Sequence, residues 1–189
     1  MDPRLYKLIG IVAVIAPTLH VLTDIMEVTG NGFSRPQLII NYTAFLLIPF
    51  MIVGLYSVQH PRISWFGLAG AISYGISFIY FTHTTLLSLE EVIPDYESLW
   101  NRLGTAYTFH GVLMIVGGIV FGLSSLKTGM LWPEGLILFI AGLAVNLLIG
   151  LESLPDIFQT VGSTIRNIGL IGIGLKISFG QDPGTGESI

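Results

Sequence analysis

Three of the four histidines lie inside apolar segments of the sequence and could contribute to one chemical site. His20, His83 and His110 each lie six or seven residues inside the same end of such a segment, and Asn146 lies six residues inside another. At about 1.5 Å of helical rise per residue, all four side chains would sit about 9–10 Å below one membrane boundary. His60 instead falls in the loop sequence QHPR. The sequence therefore predicts one polar layer built from four helices.

Carboxylates are placed at the same end of these segments. Asp24 follows His20 by four residues, so the two side chains can touch on one helix face. Glu90 follows His83 by seven residues, about two helical turns. Titratable groups in hydrocarbon are costly, so each of them is a candidate functional residue. The predicted catalytic residues are His20, Asp24, His83, Glu90, His110, Asn146 and Glu152.

Further polar side chains extend this layer onto the remaining segments. The last segment carries polar residues at helical spacing from its first turn towards its middle, and Asn41 opens the second segment. The predicted substrate-binding residues are Asn41, Tyr42, Tyr107, Thr160, Ser163 and Asn167. Arg166 lies deeper and needs a carboxylate or carbonyl partner if it is buried. Asp24 or Glu152 could supply that partner.

The composition indicates an all-α integral membrane protein. Of the 189 residues, 52% are hydrophobic and only 11% are charged, with a mean hydropathy of +0.77; a soluble domain carries about a quarter charged residues. There is no cysteine, which excludes disulfides and thiolate metal sites. Six apolar segments are each long enough to span a bilayer. They cover residues 5–27, 37–58, 65–89, 104–125, 133–152 and 156–178.

The six segments, joined by short loops, leave room for one transmembrane domain, residues 1–179, followed by a polar tail, 180–189, that we expect to be disordered. The first segment is predicted to be a retained helix and not a signal peptide, because Pro17 disrupts the most obvious cleavage point.

A faint internal repeat relates LSLEEVIPD, at 87–95, to IGLESLPD, at 149–156. The repeat allows a duplication of the second and third segments onto the fourth and fifth.

The basic residues favour both termini on the cytoplasmic side of a plasma membrane. With alternating segments, one side receives Arg4, Lys7, Arg62, Lys127 and Lys176, and lysine and arginine mark the cytoplasm. The polar layer then opens outward. Glycines in the inner half favour close helix packing; they are Gly111, Gly117, Gly118, Gly122, Gly169, Gly172 and Gly174. We expect a cavity that is open outward and closed inward.

Several functions are compatible with the polar layer. His20, His83 and His110 could bind zinc or iron, or two of them could hold haem b. Without a metal, histidine and carboxyl groups could carry out acid–base chemistry on a lipid or isoprenoid-like molecule held among aromatic side chains. The alternative from another functional class is a proton-coupled transporter. A homodimer could supply the additional helices that transport would need. The remaining alternative is that the histidines have no chemical function and only form hydrogen bonds that hold neighbouring helices together. Scattered basic residues exclude nucleic-acid binding.

Overall fold

The structure is a computed structural model that describes residues 1–30, 32–152 and 156–179, with side chains described except at 149–152 and 156–159. These residues form only helices and the loops that connect them. The all-α prediction is therefore confirmed for the described part of the chain. The predicted polar tail, residues 180–189, lies outside the described residues.

Each of the six apolar segments forms one long helix. These helices are α1 (Pro3–Gly30), α2 (Arg35–Gln59), α3 (Trp65–Glu91), α5 (Thr105–Leu126), α6 (Pro133–Glu152) and α7 (Asp156–Phe179). The sequence prediction lacked the short helix α4, Tyr96–Leu103. A search for long apolar runs passes over α4 because the helix has two turns and carries polar and charged residues on one side.

The surface of this bundle is that of a membrane protein. Four helices, α1, α2, α3 and α5, are long and apolar enough to cross a membrane. Large apolar side chains such as Phe50 and Ile79 point outward with 69% and 60% of their area exposed, whereas polar Gln59 and Ser77 are fully buried. Such an apolar exterior around buried polar groups is suited to lipid and unfavourable in water.

The six long helices form a closed ring in which the last one returns to the first. Successive long helices are neighbours, and α7 packs against both α6 and α1. Contact between α5 and α6 is less extensive than between the other adjacent pairs. This closure places side chains of α1 beside side chains of α7, although more than a hundred residues separate them in the sequence. The end of the ring that carries α4 is called the α4 end below.

Glycines let three pairs of helices approach at backbone distance. A Cβ atom on Gly117 of α5 would lie 2.9 Å from the backbone nitrogen of Tyr74 on α3. A Cβ atom on Gly142 of α6 would lie 2.7 Å from the Cβ atom of Arg166 on α7, and one on Gly174 of α7 would lie 2.8 Å from the carbonyl oxygen of Gly10 on α1. Real Cβ contacts are not this short, so these positions accept only glycine without movement of the helices.

One of the glycines expected to support packing has a different role. Nothing lies within 4 Å of a Cβ atom built on Gly111 of α5, so this residue does not bring two helices together. It instead borders the cavity described below. Gly117, Gly118 and Gly122, farther along α5, do lie against neighbouring helices, which confirms the packing prediction for that half of the helix.

The end of the bundle away from α4 is closed by a compact polar contact. The Gln59 amide of α2 donates to the Ser125 hydroxyl of α5 at 3.1 Å and to its own helix at the Leu55 carbonyl at 3.0 Å, and its oxygen accepts from Thr128 at 2.9 Å. Gln59 and Ser125 are fully buried. Because every polar atom of the Gln59 side chain has a partner, this contact holds α2 and α5 together and leaves that end tightly packed.

Candidate active site

A cavity of about 630 Å³ lies inside the α4 end of the ring, and all seven helices contribute to its lining. Its walls are largely apolar and include Phe45, Phe78, Phe81, Ile115 and Leu147. Small-molecule sites have volumes of roughly 300–1,000 Å³, with mostly apolar walls and a few polar groups. The cavity is therefore suited to one small hydrophobic molecule.

The floor of the cavity is a chain of four polar side chains from α1 and α7. The Ser163 hydroxyl donates to Oδ2 of Asp24. Oδ1 of Asp24 faces Nε2 of His20 at 3.6 Å, and Nδ1 of His20 lies 3.3 Å from Nη2 of Arg166. All four side chains are buried and also border the cavity. The i, i+4 spacing on α1 and the i, i+3 spacing on α7 place each pair on one helix face.

The chemistry of arginine fixes the arrangement of protons along this chain. A guanidinium only donates hydrogen bonds, so Nδ1 of His20 must accept from Arg166. The ring proton is then on Nε2, which faces the Asp24 carboxylate. Ser163 donates to the other carboxylate oxygen. Both oxygens of Asp24 thus face polar hydrogens, one from Ser163 and one from His20.

The His20 ring is held in place by aromatic neighbours. It packs edge-on against Phe45, with ring centroids 4.8 Å apart, and against Phe78 at 6.1 Å. The Arg166 guanidinium lies 5.7 Å from the centroid of the same Phe78 ring. These contacts keep His20 and Arg166 in a fixed relation, as a site that transfers protons requires.

Helix α4 lies across the mouth of the cavity and contributes Tyr96, Glu97 and Trp100 to its lining. Its Arg102 forms two hydrogen bonds of 2.9 Å with Glu91 at the end of α3, and the ring of Tyr96 packs against Phe33 with centroids 4.8 Å apart. Desolvation and the nearby Glu27 carboxylate raise the pKa of the Tyr96 hydroxyl well above its usual value. That hydroxyl therefore stays protonated and able to donate at the mouth.

Asp95 sets the start of α4. Its side chain accepts a hydrogen bond of 2.8 Å from the Ser98 backbone amide, and its bonds to Ser98 hold the pKa of the carboxyl below its usual value. A lowered pKa means that this cap stabilises α4 at neutral pH. The stabilisation is lost as the pH falls through and below about 4, where the carboxyl takes up a proton.

Asp95→Ala is expected to loosen α4, because it removes the cap of a helix that is only two turns long. Loss of an N-cap costs about 1 kcal/mol, which corresponds to roughly fivefold faster opening of the helix. Hydrogen exchange of the amides of Tyr96–Leu103 measures this opening. Asp95→Asn is the matched control, since asparagine caps as well as aspartate. Equal exchange in the alanine variant and the wild type would contradict the assigned cap.

The structure does not bring the three intramembrane histidines together. His20 borders the cavity, but His83 lies on the exposed outer face of α3 in line with Ile76 and Ile79. The ring of His110 stacks on Tyr80 at a centroid distance of 3.7 Å, and its Nδ1 atom lies 2.8 Å from the Ala106 carbonyl of its own helix. The depth expected from residue number did not imply a shared site, because the three helices turn these residues in different directions.

This placement corrects the three-histidine metal site. Within the described residues there is no group of three histidine, aspartate or glutamate side chains that could hold a metal ion. Zinc and iron need three or four such ligands around one point. Of the predicted ligands, only His20 borders the cavity, and it already contacts Asp24 and Arg166.

The remaining predicted site residues divide between the cavity and its surroundings. Asn146, Tyr107, Thr160 and Ser163 border the cavity together with His20 and Asp24. Glu90 is exposed at the end of α3, and Tyr42 is half-buried on α2 away from the lining. Asn41 and Asn167 are buried in the helix contacts, where Asn41 accepts a hydrogen bond from Thr23 at 3.2 Å. The Glu152 side chain lies outside the described residues.

Arg166, Tyr96 and Trp100 are among the cavity residues that were not predicted from the sequence. Arg166 was expected to lie deeper in the last segment and was not assigned to the site, yet its side chain reaches the cavity floor. Its spacing of three residues from Ser163 was the available signal. Tyr96 and Trp100 were missed together with α4, and only the Asp95 cap, followed by an acidic first turn and Arg102 in the last turn, indicated a helix there.

The chain matches no family model, no curated protein and no solved structure.

Proposed function

We propose that all six long helices span the membrane, with both termini in the cytoplasm and the α4 end outside. Helix α6, the shortest of the six, has 20 residues, about 30 Å at 1.5 Å per residue, which matches the hydrocarbon thickness. The basic residues at the opposite end, Arg4, Lys7, Arg62, Lys127 and Lys176, support this orientation in a plasma membrane. The cavity then opens towards the outside.

We further propose that the chain is a membrane enzyme that performs acid–base chemistry on a lipid-like or isoprenoid-like molecule. The observation that carries this proposal is the chain Ser163–Asp24–His20–Arg166 on the floor of an apolar cavity. Asp24 accepts a proton from the substrate, and Ser163 and His20 hold its two oxygens. Arg166 balances the carboxylate charge and can stabilise negative charge that develops on the substrate.

The proton-coupled transporter and the haem protein receive less support from this geometry. Transport requires a route through the opposite half of the bundle, where helices meet at backbone distance and Gln59 closes the end. Haem b held by two histidines requires two imidazoles facing one space, whereas His20 alone of the predicted ligands borders the cavity. Acid–base chemistry needs only the groups already assembled on the floor.

The proposal is tested by exchange of substrate hydrogen with solvent. The protein in lipid nanodiscs is incubated with a total lipid extract in D₂O, and the lipids are analysed by mass spectrometry. We expect at least one lipid species to gain deuterium or to be converted by the wild type and not by Asp24→Asn. Asp2→Asn, at the exposed N-terminus, is the matched control and should behave as the wild type. Identical spectra for the wild type and Asp24→Asn would overturn the proposed chemistry.

A further inference from the structure

Arg166 is almost fully buried but contacts only neutral groups among the described residues. Its side chain is 2% exposed. Nη1 lies 3.5 Å from the sulfur of Met114, Nη2 lies 3.3 Å from Nδ1 of His20, and Nε has no hydrogen-bond partner. The described carboxylates form no ion pair with it. The charge of Asp24 is held one residue away, behind His20.

Arg166 therefore has N–H donors that could bind an anion. A guanidinium carries five N–H donors in a planar fork that matches the two oxygens of a carboxylate. Methionine sulfur is a weak acceptor, so most of this donor capacity is unused. A buried arginine without a contacting anion is costly in a membrane, and a ligand that supplies one recovers that cost. Arg166 borders the cavity, so the anion can come from the bound molecule.

Sequence separation removes two alternative partners whose side chains lie outside the described residues. Glu152 lies ten residues, or about 15 Å along α6, beyond Gly142, which packs against Arg166. Asp156, whose side chain lies outside the described residues, precedes Arg166 by ten residues. This separation corresponds to about 15 Å along α7, more than the two side chains can bridge. The space directly in front of Arg166 is the cavity itself, with Phe78, Met114 and Ile115 around it.

The mouth of the cavity restricts which anions can enter. Glu27, Asp95 and Glu97 border it, and their negative charge opposes the approach of a permanently charged anion from water. A carboxylic acid can pass as the neutral acid. Within the cavity the acid meets Asp24, a carboxylate that can accept its proton, and Arg166, a cation that can hold the carboxylate left behind.

We propose that the cavity binds an apolar carboxylic acid, with its carboxylate paired to Arg166 and its proton transferred to Asp24. The O–H bond of the ligand breaks and an O–H bond forms on a carboxylate oxygen of Asp24, so charge and atoms balance without another reagent. The apolar body of the ligand lies against Phe45, Phe81 and Leu147. This inference rests on the proposed function in one respect, the role of Asp24 as the proton acceptor.

The test compares four ligands that share one ten-carbon chain: decanoic acid, decanesulfonate, decanol and decylamine. Binding to the protein in nanodiscs is measured by calorimetry, with empty nanodiscs subtracted for partition into lipid. We expect decanoic acid to bind at least about tenfold more tightly than each of the others, or about 1.4 kcal/mol. The sulfonate carries the negative charge but no transferable proton at neutral pH, so it isolates the proton-transfer step.

Two variants place the ligand at Arg166. Arg166→Gln is expected to reduce the affinity for decanoic acid to that for decanol, whereas Arg62→Gln, an exposed arginine at the opposite end, should leave it unchanged. Gly111→Leu is the second test, because Gly111 borders the cavity and a Cβ atom there has nothing within 4 Å, so the larger side chain takes up cavity volume. It should weaken decanoic acid binding even where Arg166→Gln fails to fold.

Several outcomes would overturn the inference. If the wild type binds decanoic acid and decanol equally, Arg166 does not pair with the carboxylate. If it binds decanoic acid and decanesulfonate equally, proton transfer to Asp24 does not contribute to binding. Unchanged binding to Gly111→Leu would place the ligand outside the cavity. If decanoic acid fails these tests while Asp24-dependent deuterium exchange persists, only the ligand class is wrong. If decanoic acid binds as expected and exchange is absent, the cavity binds the acid without further chemistry.

Discussion

Arg166→Met is expected to lower the free energy of unfolding by about 3 kcal/mol, a larger effect than any surface substitution in this chain would have. The substitution keeps an unbranched, flexible side chain, although a shorter one, and removes the charge that balances Asp24. Asp24 then remains buried as an uncompensated carboxylate, and Nδ1 of His20 loses its donor. Arg62→Met, which removes an exposed arginine, is the control and should change stability by less than about 0.5 kcal/mol.

The double variant Arg166→Met, Asp24→Asn separates lost charge balance from lost packing. Asp24 and Arg166 are buried charges of opposite sign that are linked through His20. Removing both charges leaves neither one uncompensated, so the second substitution should recover most of the stability lost in the first. Unfolding in mixed detergent micelles, followed by circular dichroism, gives the four free energies of the double-mutant cycle. Additive losses in the double variant would show that Asp24 and Arg166 act independently and would contradict the chain of contacts described above.

Much of the fold was predictable because hydrophobic length is a property of continuous sequence. The six apolar segments needed only a count of residues against the thickness of a bilayer, and each one is a helix in the structure. Helix α4 was missed because eight residues with charges at both ends resemble a loop when only long apolar runs are sought. The features that reveal it are local, namely the Asp95 cap and the sign of the charges at each end.

Residue number within a segment gives a position along a helix but not a direction around it. The common depth expected for His20, His83, His110 and Asn146 therefore stays a prediction, and it could not specify which of these side chains face one cavity. Direction depends on which neighbours each helix contacts, and no neighbour is specified by a single helix sequence. His83 therefore faces outward, whereas His20 faces the cavity.

Pairs of residues on one helix gave the most reliable information on direction. The Asp24–His20 pair was recognised from its spacing of four residues. The Ser163–Arg166 pair, three residues apart, follows the same rule that such residues are neighbours in any helix, but it was not recognised. What remained undetermined was that α7 closes the ring against α1 and brings the two pairs together. That closure depends on glycines that allow backbone contact, and their partners on the other helix become evident only in three dimensions.

Gly142→Ala should push α7 away from α6 and disturb the cavity floor. Helix α6 meets α7 at this point, and the added Cβ atom would lie 2.7 Å from the Cβ atom of Arg166. The nearest atoms are the backbone nitrogen and Cβ atom of Arg166 and the carbonyl oxygen of Gly162. None of them is a flexible side-chain end that can move aside, so the two helices must separate. Overpacking of this kind costs about 1–3 kcal/mol. The displacement also moves Arg166, so decanoic acid binding should weaken together with stability.

Gly111→Ala is the matched comparison, because it adds the same methyl group to α5 at a position with nothing within 4 Å. Alanine favours a helix over glycine by up to about 1 kcal/mol, so this variant should be as stable as the wild type or more stable. Apparent melting temperatures of the two variants in one detergent provide the measurement. If both substitutions lower stability equally, the cost reflects the loss of glycine itself, and the close contact of α6 with α7 does not position Arg166. A loss confined to Gly142→Ala shows that backbone contact between these helices sets the position of the arginine on the cavity floor.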